Sequence, residues 1–183
     1  MPADIDNWVQ DSSAPICIIG IGSNLPTDST TPQENVERAI EALHSLSDEA
    51  LCISSLWQSA PIDCPPDSPH FVNAVVALLA REQSAYRVLE QLQAIENHFG
   101  RRRCGVVNEP RVLDLDLLSF AQVQQDDPVL TLPHPRAHQR RFVLEPLAEI
   151  AGNHVLPGFD KNIDRLLREL DLDDSVQKIE SHY

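Results

Sequence analysis

Apolar and polar residues alternate along the chain with two periods, which divide it into strands and helices. The run from Ile16 to Ile21 is almost wholly apolar and short enough to be a buried strand. Residues 51–58 and 112–120 alternate at a period of two, and residues 71–80 are apolar on both faces, as in a central strand. Residues 129–132 fit one more short strand.

Other segments carry apolar residues at helical spacing. Thr31-Pro32-Gln33-Glu34 has the pattern of a capping box with proline at the first helical position, which predicts a helix over about residues 32–46. The further helical patterns lie between Ser84 and Gly100, around 144–148 and at 163–170.

Strands mixed with helices, without regular βαβ alternation, predict an α+β fold in which helices pack on a largely antiparallel sheet. A length of 183 residues fits one domain with a full hydrophobic core. Residues 1–14 are mostly polar. We therefore expect a flexible extension over 1–14 and a single domain over 15–183.

The chain is acidic, with 28 Asp and Glu residues against 14 Lys and Arg and a net charge of −14. This charge argues against nucleic acid or an anionic membrane surface as the main partner. The N-terminus has acids where a signal peptide has a basic region, and no segment approaches a membrane-spanning length. The four cysteines lack zinc-site spacing. We expect a cytoplasmic protein.

The basic residues cluster, because seven of the 14 lie between positions 101 and 141. All seven are arginines: Arg101, Arg102, Arg103, Arg111, Arg136, Arg140 and Arg141. Guanidinium groups suit bidentate contacts with phosphate better than ammonium groups do. The alternative is a solvated basic face.

The strongest local signal is Asp114-Leu115-Asp116. On a strand the two carboxylates share a face, roughly 6.6 Å apart along the backbone, while the leucines anchor the other face. Such a pair can hold one or two hard cations; a solvated acidic edge is the alternative. Flanking arginines favour a magnesium polyphosphate between them. The chain has neither a P-loop motif nor GxGxxG.

Two further positions carry polar groups of interest. His134 and His138 are four apart, but the prolines on both sides of His134 oppose a helix, so we expect no zinc site there. His134 could contact a phosphate or cap a turn. Asn73 shares a strand face with Phe71 and could make a structural hydrogen bond, or bind the edge of a heterocycle stacked on an aromatic ring.

Together these stretches resemble the 6-hydroxymethyl-7,8-dihydropterin pyrophosphokinase family of folate biosynthesis. The motifs occur in the family's order over about residues 16–152. They are IGSN (21–24), SSLWQSAPI (54–62), FVNAVVAL (71–78), QAIENHFGRRR (93–103), PRVLDLDLL (110–118) and LPHPRAHQRRFVLEPL (132–147). The resemblance implies a ferredoxin-like α+β sandwich that transfers the diphosphate of ATP to a reduced pterin by in-line attack at the β-phosphorus, releasing AMP.

The resemblance also implies residue roles. Asp114 and Asp116 would ligate two Mg²⁺ ions and, with Arg101 and Arg111, form the catalytic set. The ATP-binding residues implied are Gln93, Arg101, Arg111, Leu117, His134 and Arg140. Phe71 and Phe142 would sandwich the pterin, and Asn73, Ser59, Ala60 and Ile62 would contact its edge. The sequence departs from the family's pattern in the arginine-rich loop, at Cys104, Asn108 and Glu109.

Two other functions are compatible with parts of this pattern. A non-catalytic module that binds a nucleotide or pterin would need no paired carboxylates. A metal-dependent phosphohydrolase could use the same pair, but it should add a water-activating base, and the sequence shows no clear one. Identification of the products formed from Mg-ATP and the pterin separates the three.

Overall fold

The computed structural model describes residues 5, 8, 13–62, 64, 67–100, 110–172 and 175–180. Its strands are β1 (Ile16–Ser23), β2 (Cys52–Ile53), β3 (Trp57–Ser59), β4 (Phe71–Leu79), β5 (Asp114–Phe120), β6 (Gln125–Asp126), β7 (Thr131–Leu132) and β8 (Gln177–Lys178). Its helices are α1 (Pro32–Leu43), α2 (Ala85–His98), α3 (Arg141–Ala151) and α4 (Ile163–Glu169), with 3₁₀ turns at His44–Leu46 and Ala137–Gln139.

The main sheet has the strand order β5-β1-β4-β3-β8, and β2 also pairs with β4. Its pairings are antiparallel. β6 and β7 form a separate two-stranded sheet. This arrangement confirms the predicted α+β fold with helices on a largely antiparallel sheet.

One face of the sheet is covered by α1 and α2. The predicted capping box is present, because the Thr31 side chain accepts from the backbone of Glu34 and the Glu34 side chain accepts from the backbone of Thr31. Val36 and Leu43 of α1 are fully buried against the inner residues of the strands. Burial of such side chains contributes about 1.5–3 kcal/mol each. This packing is the first core.

The opposite face is covered by α3 and α4. Leu144 and Leu147 of α3 are fully buried against Ile18, Val75 and Leu118 of the central strands. Because successive strand residues point to opposite faces, these three residues are separated from the first core by the sheet itself. Together with Leu144 and Leu147 they form the second core.

Two strands differ from the predictions. The strand predicted over 51–58 is broken into β2 and β3, because the Ser54 hydroxyl donates to Ser55 O and the Ser55 amide donates to Glu149 of α3 instead of to a neighbouring strand. The strand predicted over 129–132 is paired only over Thr131–Leu132. β8 was not predicted; it pairs with β3 and is held by Lys178, whose ammonium lies 2.7 Å from Glu149 Oε1.

The predicted flexible extension over residues 1–14 stays a prediction for most of its length. Ile5, however, is fully buried, and it packs in the second core with the half-buried Trp8 beside it. No helix in the described part of the chain has both the length and the apolar character needed to cross a membrane.

Candidate active site

A cavity of about 210 Å³ opens on the face of the sheet that carries the second core, and Val75 and Leu118 at the border of that core form part of its wall. Beyond these two residues the same strands present glycine and polar residues. Those lining the cavity are Gly20, Gly22, Asn73, Asp114 and Asp116, together with Ser59, Phe71, Arg111, His134, Arg136, Arg140 and Phe142 from strands and loops around them.

Two glycines of β1 leave room for the cavity floor. A Cβ at Gly22 would lie 3.7 Å from both Asn73 Oδ1 and the Phe71 ring. A Cβ at Gly20 would lie 3.4 Å from Leu118. Both distances are ordinary contacts, so a Cβ would fit at either position, and its absence leaves the cavity floor open.

The two aspartates share one face of β5, as predicted. Leu113, Leu115 and Leu117 are buried in the first core on the other face. Asp114 forms an ion pair with Arg111, whose Nη1 lies 2.7 Å from Asp114 Oδ2, with both side chains less than a fifth exposed. The geometry therefore supports paired carboxylates in a cavity, and not a solvated acidic edge.

The surroundings of Asp116 strongly disfavour its charged form. Burial, followed by the charge of Asp114, raises the pKa of Asp116 to about 7, although Arg140 and Arg111 oppose the shift. In the metal-free site the Asp116 carboxyl therefore stays protonated up to a pH well above the usual range for a carboxyl group. Two carboxylates that repel each other in a cavity are a suitable donor set for a divalent cation, which would relieve that repulsion.

These carboxylates fit Mg²⁺ in their chemistry, since Mg²⁺ prefers oxygen ligands and is commonly held by one or two carboxylates together with substrate phosphates. Within the described ranges, no group of three or more His, Cys, Asp or Glu side chains is arranged to hold a metal ion. A cation here would thus depend on the aspartate pair and on a bound polyphosphate for its ligands.

Asn24, which was not predicted as a site residue, holds the loop before β5. Its Oδ1 accepts from Arg111 N at 2.8 Å, and its own N–H donates to Arg111 O at 3.1 Å. Its Nδ2 donates to Pro69 O at 3.2 Å. Asn24 thereby joins the loops that carry Arg111 and precede Phe71. The asparagine at the end of a buried strand was the only sequence signal for this role.

Glu96 is the second residue that was missed. It is 3% exposed, and its Oε1 accepts from Leu115 N at 2.8 Å. This bond holds the outer edge of β5 at the residue between the two aspartates. Its position one helical turn from Gln93 on α2 was visible in the sequence, but its partner on β5 was not.

His134 sits in a tight turn against β5. The pairing of β1 with β5 shifts by one residue between Ile18 and Ile19, a bulge that leaves Leu118 out of the register. Leu118 O accepts instead from His134 N at 2.8 Å. Arg136 N then donates to His134 Nδ1 at 3.2 Å. A neutral His134 with this bond carries its proton on Nε2, which can donate to a phosphate oxygen.

The charge state of His134 follows from its surroundings. Burial, followed by the charges of Arg140 and Arg136, lowers the pKa of His134 to about 4. The ring is therefore neutral at neutral pH in the ligand-free protein. His134 both caps the turn and lines the cavity, so both possibilities left open by the sequence are compatible with its geometry.

Arg140 and Phe142 bracket the start of α3. The Arg140 guanidinium carbon lies 5.5 Å from the centre of the Phe142 ring, within the range of a cation–π contact. Burial and the charge of Arg136 lower the pKa of Arg140. Phe142 and Phe71 both line the cavity, as a stacking site requires.

Asn73 lies deep in the cavity wall and is 5% exposed. Its Nδ2 donates to Ser59 Oγ at 2.9 Å and to Trp57 O at 3.4 Å. Both bonds use the amide nitrogen, so the Oδ1 beside Gly22 is the acceptor left for an N–H of a ligand. Asn73 thus makes the structural hydrogen bond considered from the sequence and can also bind a heterocycle edge. Ala60 and Ile62 line the same end.

Two predicted ATP contacts, Leu117 and Gln93, do not line the cavity, and a third lies outside the described residues. Leu117 is 3% exposed in the first core, on the opposite face of β5, so its side chain does not line the cavity. Gln93 is exposed on α2 and is not among the lining residues. Arg101, together with Cys104, Asn108 and Glu109 of the same loop, lies outside the described residues. Their roles stay predictions.

Comparison with known proteins identifies similar sequences. The sequence profile of the 7,8-dihydro-6-hydroxymethylpterin-pyrophosphokinase (HPPK) family matches residues 18–152. The 2-amino-4-hydroxy-6-hydroxymethyldihydropteridine pyrophosphokinase of Haemophilus influenzae is 42% identical over 140 residues, which cover 76% of this chain and 83% of the relative. The Pseudomonas aeruginosa protein of that name is 39% identical over 140 residues, covering 76% and 82%.

Solved structures show the same fold. The crystal structure of wild-type Plasmodium falciparum HPPK-DHPS matches with a TM-score of 0.65 at 11% identity, covering 87% of this chain and 44% of that chain. The wild-type protein with SDX-DHP gives a TM-score of 0.66 at 11% identity, covering 87% and 45%. This chain therefore spans less than half the length of those solved proteins. At that identity the likeness shows the fold alone, and the fold agrees with the predicted ferredoxin-like sandwich.

Proposed function

Because this chain belongs to the 7,8-dihydro-6-hydroxymethylpterin-pyrophosphokinase family, whose members are ATP-dependent diphosphotransferases of folate biosynthesis, we propose that it transfers the diphosphate of ATP to 6-hydroxymethyl-7,8-dihydropterin. The products are the pterin diphosphate and AMP. The observation that carries the proposal is the cavity itself, in which an aspartate pair lies beside aromatic and amide groups suited to a flat heterocycle.

The heterocycle is held at the end of the cavity formed by β3, β4 and the start of α3. Phe71 and Phe142 stack on the pterin faces, and such aromatic contacts contribute about 0.5–1.5 kcal/mol beyond buried area. Asn73 Oδ1 accepts an N–H of the pterin edge, while Ser59 fixes the amide orientation. Ala60 and Ile62 border the same edge. This orientation directs the hydroxymethyl group toward β5.

The polyphosphate is held at the other end. Arg111 and Arg140 contact phosphate oxygens, and His134 donates from Nε2 as a neutral ring. Asp114 and Asp116 would hold two Mg²⁺ ions, which would neutralise the triphosphate charge and favour an in-line arrangement of attacking and leaving oxygens. The chain's part in catalysis is thus to position and neutralise charge.

The reaction forms one bond and breaks one. The hydroxymethyl oxygen attacks the β-phosphorus of ATP, and the bond from that phosphorus to the oxygen bridging the α- and β-phosphates breaks. AMP leaves with the electron pair on its phosphate oxygen, and the hydroxymethyl proton passes to solvent. Correct alignment of two bound substrates is worth up to about 7–11 kcal/mol of the barrier.

Product identification tests the proposal. The full chain is incubated with ATP, MgCl₂ and the hydroxymethyl-dihydropterin, and products are separated by anion-exchange chromatography. AMP and pterin diphosphate should appear in equal amounts, and both should vanish when Mg²⁺ is chelated. Inorganic phosphate with unmodified pterin would mean a phosphohydrolase. Binding of both ligands without turnover would mean a non-catalytic module.

A further inference from the structure

Arg136 belongs to the arginine cluster noted in the sequence, but neither the family resemblance nor the proposed reaction gives it a role of its own. Its side chain is exposed at the cavity rim, in the turn between His134 and α3. Its backbone is fixed, because Arg136 N donates to His134 Nδ1 at 3.2 Å and Arg136 O accepts from Gln139 N at 3.1 Å. A flexible side chain therefore extends from a rigid base at the mouth of the site.

The charges around Arg136 are unbalanced. Arg111 forms an ion pair with Asp114, whereas no carboxylate of the described chain lies within ion-pair distance of Arg136 or Arg140. The charge of Arg136 acts unfavourably on both Arg140 and His134. The charges of Asp114 and Asp116 oppose this effect on Arg140. Even so, the cavity is lined by two guanidinium groups with no carboxylate at ion-pair distance in the described chain, an arrangement that a multivalent anion stabilises.

The charge of the anion indicates which part of it Arg136 contacts. Arg136 lines the one cavity in which both substrates are proposed to bind, together with Arg140 and Phe142. In the proposed reaction the transferred diphosphate carries more negative charge than the single phosphate of AMP, and it stays attached to the pterin. An exposed guanidinium with no carboxylate at ion-pair distance in the described chain is therefore suited to the diphosphate.

We infer that Arg136 binds the transferred diphosphate, as a further phosphate-binding residue beyond Arg111, His134 and Arg140. This inference rests on the proposed function. It makes Arg136 a determinant of specificity for substrates and products that carry a diphosphate, and it predicts that Arg136 contributes little to affinity for AMP or for the unmodified pterin.

Isothermal titration calorimetry on the full chain tests this without turnover. The probes are inorganic pyrophosphate with MgCl₂, AMP with MgCl₂, and the hydroxymethyl-dihydropterin. Arg136→Gln should weaken pyrophosphate binding about five- to tenfold, as expected for an exposed charge-assisted contact, and the loss should shrink as salt rises. AMP and pterin affinities should stay within about twofold. Arg136→Lys, which keeps the charge, should recover part of the loss.

Arg87→Gln is the matched control, since it removes the same charge from the exposed surface of α2, where Arg87 pairs with Glu90. It should leave all three affinities unchanged. Equal pyrophosphate affinity in Arg136→Gln and Arg87→Gln would overturn the inference, as would no pyrophosphate binding by the wild type. If Arg136→Gln weakened AMP binding as much as pyrophosphate binding, the inference would be overturned in favour of a contact between Arg136 and the α-phosphate. Absence of pterin diphosphate in the product assay would instead reject the proposed function.

Discussion

The two ends of one sheet face have the same backbone and opposite chemistry. Toward one end, β1, β4 and β5 present Ile18, Val75 and Leu118, which are buried under α3 and α4. Toward the other end, the same strands and the same alternation present Gly22, Asn73, Asp114 and Asp116 to a cavity. The first end is stabilised by apolar packing. The second end places Asp116, whose pKa is raised, beside the carboxylate of Asp114.

The difference indicates that the cavity end is tuned for ligands at some expense of stability. Burying a carboxyl next to another carboxylate is unfavourable until a cation or a proton compensates the charge. At the core end, each residue contributes directly to folding. Substitutions at the two ends should therefore separate activity from stability.

The largest effect is expected at the aspartate pair. Asp114→Asn or Asp116→Asn removes one charge with little change of shape, so turnover should fall by about a thousandfold or more while the fold is retained. Steady-state assays and circular dichroism measure the two quantities. Asp126→Asn, an exposed acid on β6, is the control and should have normal turnover. Near-normal turnover in a folded Asp116→Asn protein would show that the pair does not serve catalysis.

The core end should respond in the opposite way. Ile18 is fully buried, so Ile18→Ala should lower the free energy of unfolding by about 2–5 kcal/mol through lost burial and a residual cavity. Turnover per folded molecule should change little, because Ile18 does not line the site. Denaturant unfolding and activity at low temperature test this. A large loss of turnover with unchanged stability would contradict the separation of the two ends.

The aromatic wall of the cavity is expected to give an intermediate effect. Phe142→Ala should weaken pterin binding by about 1–3 kcal/mol through lost stacking and buried area. ATP binding should change less, although the Arg140 contact with the ring is also lost. Phe99→Ala, at the end of α2 against the first core, is the matched aromatic control. Equal losses for both ligands in calorimetry would mean that Phe142 is mainly a packing residue.

The smallest net effect in the wild type concerns the pH dependence of stability in the metal-free protein, where two shifts oppose each other. The folded-state pKa of Asp116 is raised to about 7, so its contribution to stability falls as pH rises from about 4 to 7. The folded-state pKa of His134 is lowered to about 4, so its contribution rises from about pH 4 to 6.5. The two slopes oppose each other over that range.

Removing one of the two groups should therefore reveal the pH dependence that the other gives to the free energy of unfolding, which is on the order of 1 kcal/mol per pH unit at most. In Asp116→Asn, stability should rise between pH 4 and 6.5 relative to the wild type. In His134→Gln it should fall between pH 4 and 7. Urea unfolding with chelator present measures both profiles. Parallel profiles for the wild type and both variants would mean that neither group is shifted as described.

Much of this site was predictable because strand alternation is a local property. The leucines on either side of Asp114 and Asp116 indicated which face of the strand each carboxylate takes. The same alternation assigned Phe71 and Asn73 to one face of their strand. The same alternation placed Leu117 in the first core, so the ATP contact implied for it by family resemblance does not involve a side chain in the cavity.

What the sequence did not predict depends on partners far along the chain. Asn24 bonds to Arg111, 87 residues away, and Glu96 to Leu115 across a helix–strand contact. The break between β2 and β3 depends on Glu149, 94 residues from Ser55. No periodicity within a segment carries information on such pairs, because the tertiary fold alone brings them together.

The most direct test of the central claim, that this cavity transfers a diphosphate, is the fate of the β-phosphorus of ATP. ATP labelled with ³²P at the β position is incubated with the full chain, MgCl₂ and the hydroxymethyl-dihydropterin, and the radioactive products are separated. The label should move entirely into the pterin product, with unlabelled AMP formed in equal amount. Label found in ADP, which would mean transfer of a single phosphate, would contradict the account.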